Sequence, residues 1–162
     1  MRPTTKRTRT SSRKGQPLPR AIVVHSLAHA VVALEAAERV GAAVTLLSPP
    51  DFTAYGGSGF FDAIVRRARI KVPAAKSEAV IDCGNAPGLA LGALRAGAKA
   101  VCFRGRKLVR EKIACIAAAH GARLLTVRPR ALDLLDVTDA RTACAAWLSG
   151  KPAGNRSAGP RD

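Results

Sequence analysis

AIVVHSLAHAVVALEAAERVGAAVTLL, residues 21–47, decides the fold. Its first five residues, Ala21-Ile-Val-Val-His25, form a short apolar run ending in a polar residue. Such a run reads as a strand buried on both faces. Ser26 is a good N-cap, and Leu27, Ala30, Val31, Leu34 and Ala37 then recur at helical spacing. Glu35, Glu38 and Arg39 fall away from that face. Gly41 is the expected stop, and a second apolar run over 43–47 follows. Strand, helix and strand in 27 residues is a βαβ unit, whose strands are parallel.

The same alternation continues outward. A run at 79–82, one at 99–103 and one at 123–127 read as further strands. Helices are expected after Ser58, after Asn85 with Pro87 in the first turn, over 107–120, and after Thr138. Phe60 and Trp147 read as core anchors. Leu132, Leu134 and Leu135 read as a short turn. The phrases Arg39-Val-Gly-Ala, Arg95-Ala-Gly-Ala and Ala119-His-Gly-Ala recur before strands, which reads as one repeated C-cap. About five strand–helix units around a mainly parallel sheet therefore form one domain over 21–150. An open doubly wound sheet, flavodoxin-like or Rossmann-like, fits better than the competing partial βα-barrel, whose local pattern is the same.

Composition bounds the class. Of 162 residues, 48% are hydrophobic and 23% charged, as in an ordinary globular domain, so one core is expected. Only 4% are aromatic, so that core is built from Ala, Val, Leu and Ile. Residues 1–20 hold seven Lys and Arg and no acid, with Pro17 and Pro19, and read as a disordered tail. Residues 151–162 read as a second tail. The first tail has the Arg, Ser and Thr content of a transit peptide but no apolar face, so a cytoplasmic protein is expected. No apolar stretch is long enough to span a membrane. Cys83, Cys102, Cys115 and Cys144 stand apart with no C-x-x-C pair, so free thiols and no metal site are expected. His29, four residues after His25, shares a helical face with it only if both are helical, and His25 precedes the cap.

The net charge is +16 at pH 7. Such a field favours anionic metabolites, nucleic acid or acidic partners. Arg outnumbers Lys throughout, however, as a GC-rich coding sequence alone produces.

In either parallel architecture, ligands bind beyond the C-terminal ends of the strands. The residues there are His25-Ser26, Ser48, Asp82-Cys83-Gly84-Asn85, Arg104-Gly105-Arg106 and Arg128. His25 beside Asp82 makes an acid–base pair, and Cys83 a nucleophile. The plainer alternative is a buried His on a backbone group and a Cys filling core space. Arg104, Arg106 and Lys107 open a helix, where cations oppose the dipole and a bound anion would relieve them. The alternative is a solvated basic face. Ser26, Ser48 and Asn85 complete the candidate ligand contacts. Tyr55-Gly-Gly-Ser-Gly59 is either an anion-cradling loop or a flexible one, and matches no phosphate-loop pattern. No cofactor is indicated.

Three stretches, Val24-His-Ser-Leu-Ala-His-Ala30, Val44-Thr-Leu-Leu-Ser-Pro49 and Asp82-Cys-Gly-Asn-Ala-Pro-Gly88, together with Ala93-Leu-Arg-Ala-Gly97, resemble a group of small uncharacterised bacterial α/β proteins. The resemblance implies a bacterial cytoplasmic protein and no activity or residue roles. Cys83 at a strand end also resembles small sulfur-relay domains, with no second motif to carry their chemistry. The expected function is binding of an anionic, phosphorylated or carboxylated small molecule, with or without catalysis. The alternatives are nucleic-acid association through the basic tail and Arg66, Arg67, Arg69 and Lys71, or a non-catalytic interaction domain.

Overall fold

A computed structural model describes residues 17–50, 52–54 and 56–150. The two expected tails fall outside these residues over 1–16 and 151–162, as do Asp51 and Tyr55 of the glycine-rich connection.

The first βαβ unit forms as its sequence predicts. Strand β1 (Ala21–Val23) leads to helix α1 (Leu27–Val40), and then to β2 (Val44–Leu47). The Ser26 side chain accepts from the His29 N–H, which supplies a partner for one orphan donor of the first turn. Gly41 closes the helix at φ +67°, a conformation costly for other residues. The N–H of Ala42 then reaches back to Ala37 O at 3.0 Å. The same closure recurs at Gly97, where Ala98 N–H bonds Ala93 O, and at Gly121, where Ala122 N–H bonds Ala117 O. The repeated Gly-Ala phrase is therefore one C-capping device used three times.

A 3₁₀ turn over Phe52–Ala54 precedes α2 (Ser58–Lys71). Then follow β3 (Ser77–Asp82), α3 (Pro87–Arg95), β4 (Ala100–Cys102), α4 (Lys107–Ala119), β5 (Arg123–Leu125), β6 (Ala131–Asp133) and α5 (Ala140–Leu148). The six strands form one all-parallel sheet in the order β5-β4-β3-β2-β1-β6. This is the open parallel α/β architecture expected from the alternation. The sheet extends from β1 in both directions, through β2 to β5 on one side and to β6 on the other. Cyclically, the strands run 1 to 6, with the ring open between β5 and β6.

Several local expectations need correction. Residues 131–133 are a strand, not part of a turn, because they pair with β1 from Ala21↔Ala131 to Val23↔Asp133. Ser58 lies inside α2 behind Gly57, and α3 begins behind Ala86 with no side-chain cap, so neither Ser58 nor Asn85 caps a helix. Asp139, not Thr138, caps α5 by accepting from Thr142 N–H. Phe60 is 58% exposed and stacks on Phe52, whereas Phe61 is the buried anchor. Residues 17–20, grouped with the tail by composition, lie against the sheet. Pro19 O accepts from the Thr45 hydroxyl, and Leu18 joins an apolar cluster.

Side chains alternate between two faces along each strand. Ile22, Val24, Leu46, Ile81, Val101 and Phe103 face the larger cluster, which holds the buried residues of all five helices. Successive right-handed steps in one direction bring α1 to α4 to this side. Ala21, Val23, Leu47, Val80, Ala100 and Cys102 form a smaller cluster on the other face, with Leu18, Leu125 and Ala131. Helix α1 lies centrally, between α2 and α5. Its Ala30, Ala33, Ala36 and Ala37 permit close approach, while Leu34 fills the remaining volume at 0% exposure. Leu34→Ala should therefore lower the unfolding free energy by about 2–5 kcal/mol in urea denaturation. A loss below about 1 kcal/mol would mean that α1 is not the central helix of the core.

Candidate functional site

The C-terminal strand ends carry a row of polar groups, and its central member is buried. Asp82 ends β3 with 0% exposure. By alternation from Val80 it points to the sheet face of the smaller cluster, opposite the helix-side cluster. Its Oδ1 accepts from Gly84 N–H at 2.8 Å and from the Arg104 guanidinium at 3.2 Å. Its Oδ2 accepts from the Arg128 guanidinium. A second Arg128 nitrogen donates to Ser48 O at 3.0 Å, and the Asp82 N–H donates to Ser48 Oγ at 2.8 Å. A buried carboxylate persists only with such compensation.

Each partner has a local reason for its position. Arg104 follows β4 and is tied by its own N–H to Gly84 O at 2.7 Å. The turn then needs Gly105, because a Cβ there would collide with the buried Phe103 ring. Arg128 lies in the connection that leaves β5 at one edge and enters β6 at the other. That connection crosses the strand ends, so its side chains reach β2 and β3.

The second group lies at the β1–β6 end. His25 Nε2 and Asp133 Oδ1 are 2.6 Å apart, and Asp133 Oδ1 also accepts from Leu135 N–H. The His25 backbone N–H donates to His29 Nδ1 at 3.4 Å, and the two rings meet edge to face. Burial opposes ionisation of Asp133. The Leu135 N–H, the bond to His25 and the charges of His25 and Arg128 outweigh it, and the carboxyl lies below its ordinary value. Arg128 therefore acts on both acids and links the two groups. The His29 pKa is lowered, first by burial and then by His25, against a smaller opposing effect of Asp133.

The structure brings some of the expected residues together and separates others. His25 finds its carboxylate in Asp133 on the neighbouring β6, whereas Asp82 is held by two arginines. Cys83 is buried in the helix-side cluster, its thiol directed to Ile81 O. It therefore faces away from Asp82. Cys102, beside Asp82 in the sheet register, is pushed up to about 11 by burial, so its thiol stays protonated. Ser48 is fully buried and occupied by backbone partners, Pro49 O included, and Ser26 is occupied as a cap. Asn85 is exposed just past β3. Arg106 is exposed before α4, and Lys107 lines a separate shallow groove of about 300 Å³ with Arg110, Glu111 and Leu124.

Asp133 was not among the expected site residues. Its signal is the alternation Leu132-Asp-Leu134, an apolar pair around a carboxylate at a strand end. No family model matches the chain, and no curated protein matches its sequence.

Two outcomes test this geometry. Arg128→Ala leaves Asp82 buried with less compensation and should cost about 3 kcal/mol in unfolding free energy. The more exposed Arg104 should cost less when truncated. For Asp133, the folded protein binds fewer protons than the unfolded chain once pH falls below about 5. Its pair therefore adds stability above that range and loses it as pH falls through the folded value. Asp133→Asn should flatten the acid limb of stability against pH, and an unchanged limb would contradict the assignment.

Proposed function

We propose that the protein binds a small anion, phosphorylated or carboxylated, at the C-terminal ends of its parallel strands. The observation that carries this reading is the convergence of Arg104 and Arg128 on one carboxylate. Two guanidinium groups are gathered on one buried acid at the strand ends. Asp82 orients both forks, and Arg104 keeps 39% side-chain exposure, so this end of its fork meets solvent. Guanidinium forks match the planar or tetrahedral oxygens of carboxylates and phosphates. Backbone N–H groups at the start of α4 and the exposed Arg106 add to the same potential.

Sulfate is a suitable probe. At constant ionic strength it should raise Tm more than chloride does. Arg104→Ala should weaken sulfate binding by roughly ten- to a hundredfold, the value of one charge-assisted hydrogen bond. An undiminished sulfate shift in that variant would refute the site.

A further inference from the structure

The opposite ends of β1 and β6 hold a second pair of arginines. Ala21 and Ala131 face each other in the sheet register, and Arg20 and Arg130 immediately precede them. Both share the parity of Ile22 and Leu132, so both side chains rise on the helix side of the sheet, where α5 carries Trp147. The indole Nε1 donates to Ala21 O at 2.9 Å, which fixes the ring at the start of β1. Each guanidinium carbon lies 5.4 Å from the ring centroid, so the two cations stand no farther apart than twice that distance.

Cation–π attraction stabilises the charges but occupies no N–H donor. Both arginines are exposed, and among the described residues neither guanidinium has a hydrogen bond or an ion pair. Arg141, on the same helix as Trp147, pairs instead with Glu35 at 2.8 Å. The chain adds charge at this pole. Residues 1–16 carry six Lys and Arg and no acid, and they join the fold four positions before Arg20. A Cβ on Gly150 would stand 3.2 Å from the Arg20 guanidinium, so residues 151–162, with three Lys and Arg and one acid, are joined at the same place.

We propose that this pole is a contact surface for the phosphodiester backbone of a nucleic acid, with Arg20 and Arg130 donating to its phosphates. Two exposed arginines do not enclose a metabolite, whereas weak contacts repeated along a charged polymer add up. Phosphates recur about every 3.4 Å of axis along a strand, so two cations this close engage neighbours on one chain. The Lys and Arg of residues 1–16 supply further contacts of the same kind. The indole already carries two guanidinium groups and is not a stacking platform for bases, so binding is indifferent to base sequence. This surface lies at the other end of the strands from Asp82 and is independent of the anion site there.

The test is titration of the full chain with a labelled oligo-dT strand. It is read by the anisotropy of the label and by the emission of Trp147, the one tryptophan of the sequence. Wild type should bind with an affinity that falls steeply as salt rises, and Trp147 emission should change with the same midpoint. Arg20→Ala with Arg130→Ala should weaken binding roughly tenfold or more at low salt. It should also make the slope of log K against log salt shallower by about 1.4, the share of two phosphate contacts on a single strand. Arg130→Ala alone, which leaves Arg20 on Trp147, should lower the slope by about 0.7. A lower Tm with an unchanged slope in these variants would make the pair a packing clamp and overturn the proposal. So would silent Trp147 emission at saturation, equal affinity for poly-glutamate, or no salt-dependent binding by wild type. Binding lost in Arg104→Ala but kept in the double variant would move the contact to the strand C-termini and overturn it as well. Failure of the sulfate site alone would overturn only the reading of the strand C-termini.

Discussion

A carboxylate with no solvent exposure organises this end of the molecule. Burying an unpaired Asp82 would cost several kcal/mol, so the fold must deliver cations and N–H donors to it. Gly84, Arg104 and Arg128 do so from three separate segments. That requirement also orders the chain. The β5–β6 connection has no helix to hold it, yet it must carry the chain from one sheet edge to the other. Arg128 pins it in mid-course, with one nitrogen on Asp82 and another on Ser48 O. β6 can then pair with β1, and that pairing brings Asp133 to His25.

The βαβ units were legible because their determinants are local. Ser26, Gly41, Gly97 and Gly121 act through bonds to residues within six positions, so one window of sequence contains the whole device. β6 was not legible for the converse reason. Its three residues have no helix before them and a carboxylate at the end, and their partner lies 110 positions away at Ala21. The caps after Ser58 and Asn85 failed more instructively. Both residue types favour caps, but in this chain the backbone turns at Gly57 and Ala86, and packing of Phe61 and Ala90 sets the helix phase. Tertiary contact overrides propensity in such cases.

For the site, the sequence places residues at strand ends but not their partners. His25 and Asp82 are both where the strand pattern puts them. Whether they meet depends on strand order: β2 lies between β1 and β3 and separates His25 from Asp82, while β6, far from β1 in sequence, lies beside it and brings Asp133. One error was avoidable from parity alone. Adjacent residues of a strand face opposite sides of the sheet, so Asp82 and Cys83 cannot both serve one ligand on one face. The buried thiol of Cys83 and the arginine-bound carboxylate of Asp82 are that rule in operation.

The overall charge of +16 and the local balance at the strand ends act over different distances. In physiological salt, charges are screened beyond about 8–10 Å, so most of the surplus raises the encounter rate with anions and does little for retention. Retention is set by the groups in contact. There the Asp82 carboxylate holds the guanidinium groups of Arg104 and Arg128, and the Asp133 carboxylate holds the His25 ring. The geometry of the strand ends is therefore set by these paired contacts, whose partners lie within hydrogen-bond distance, and not by the overall charge of the chain.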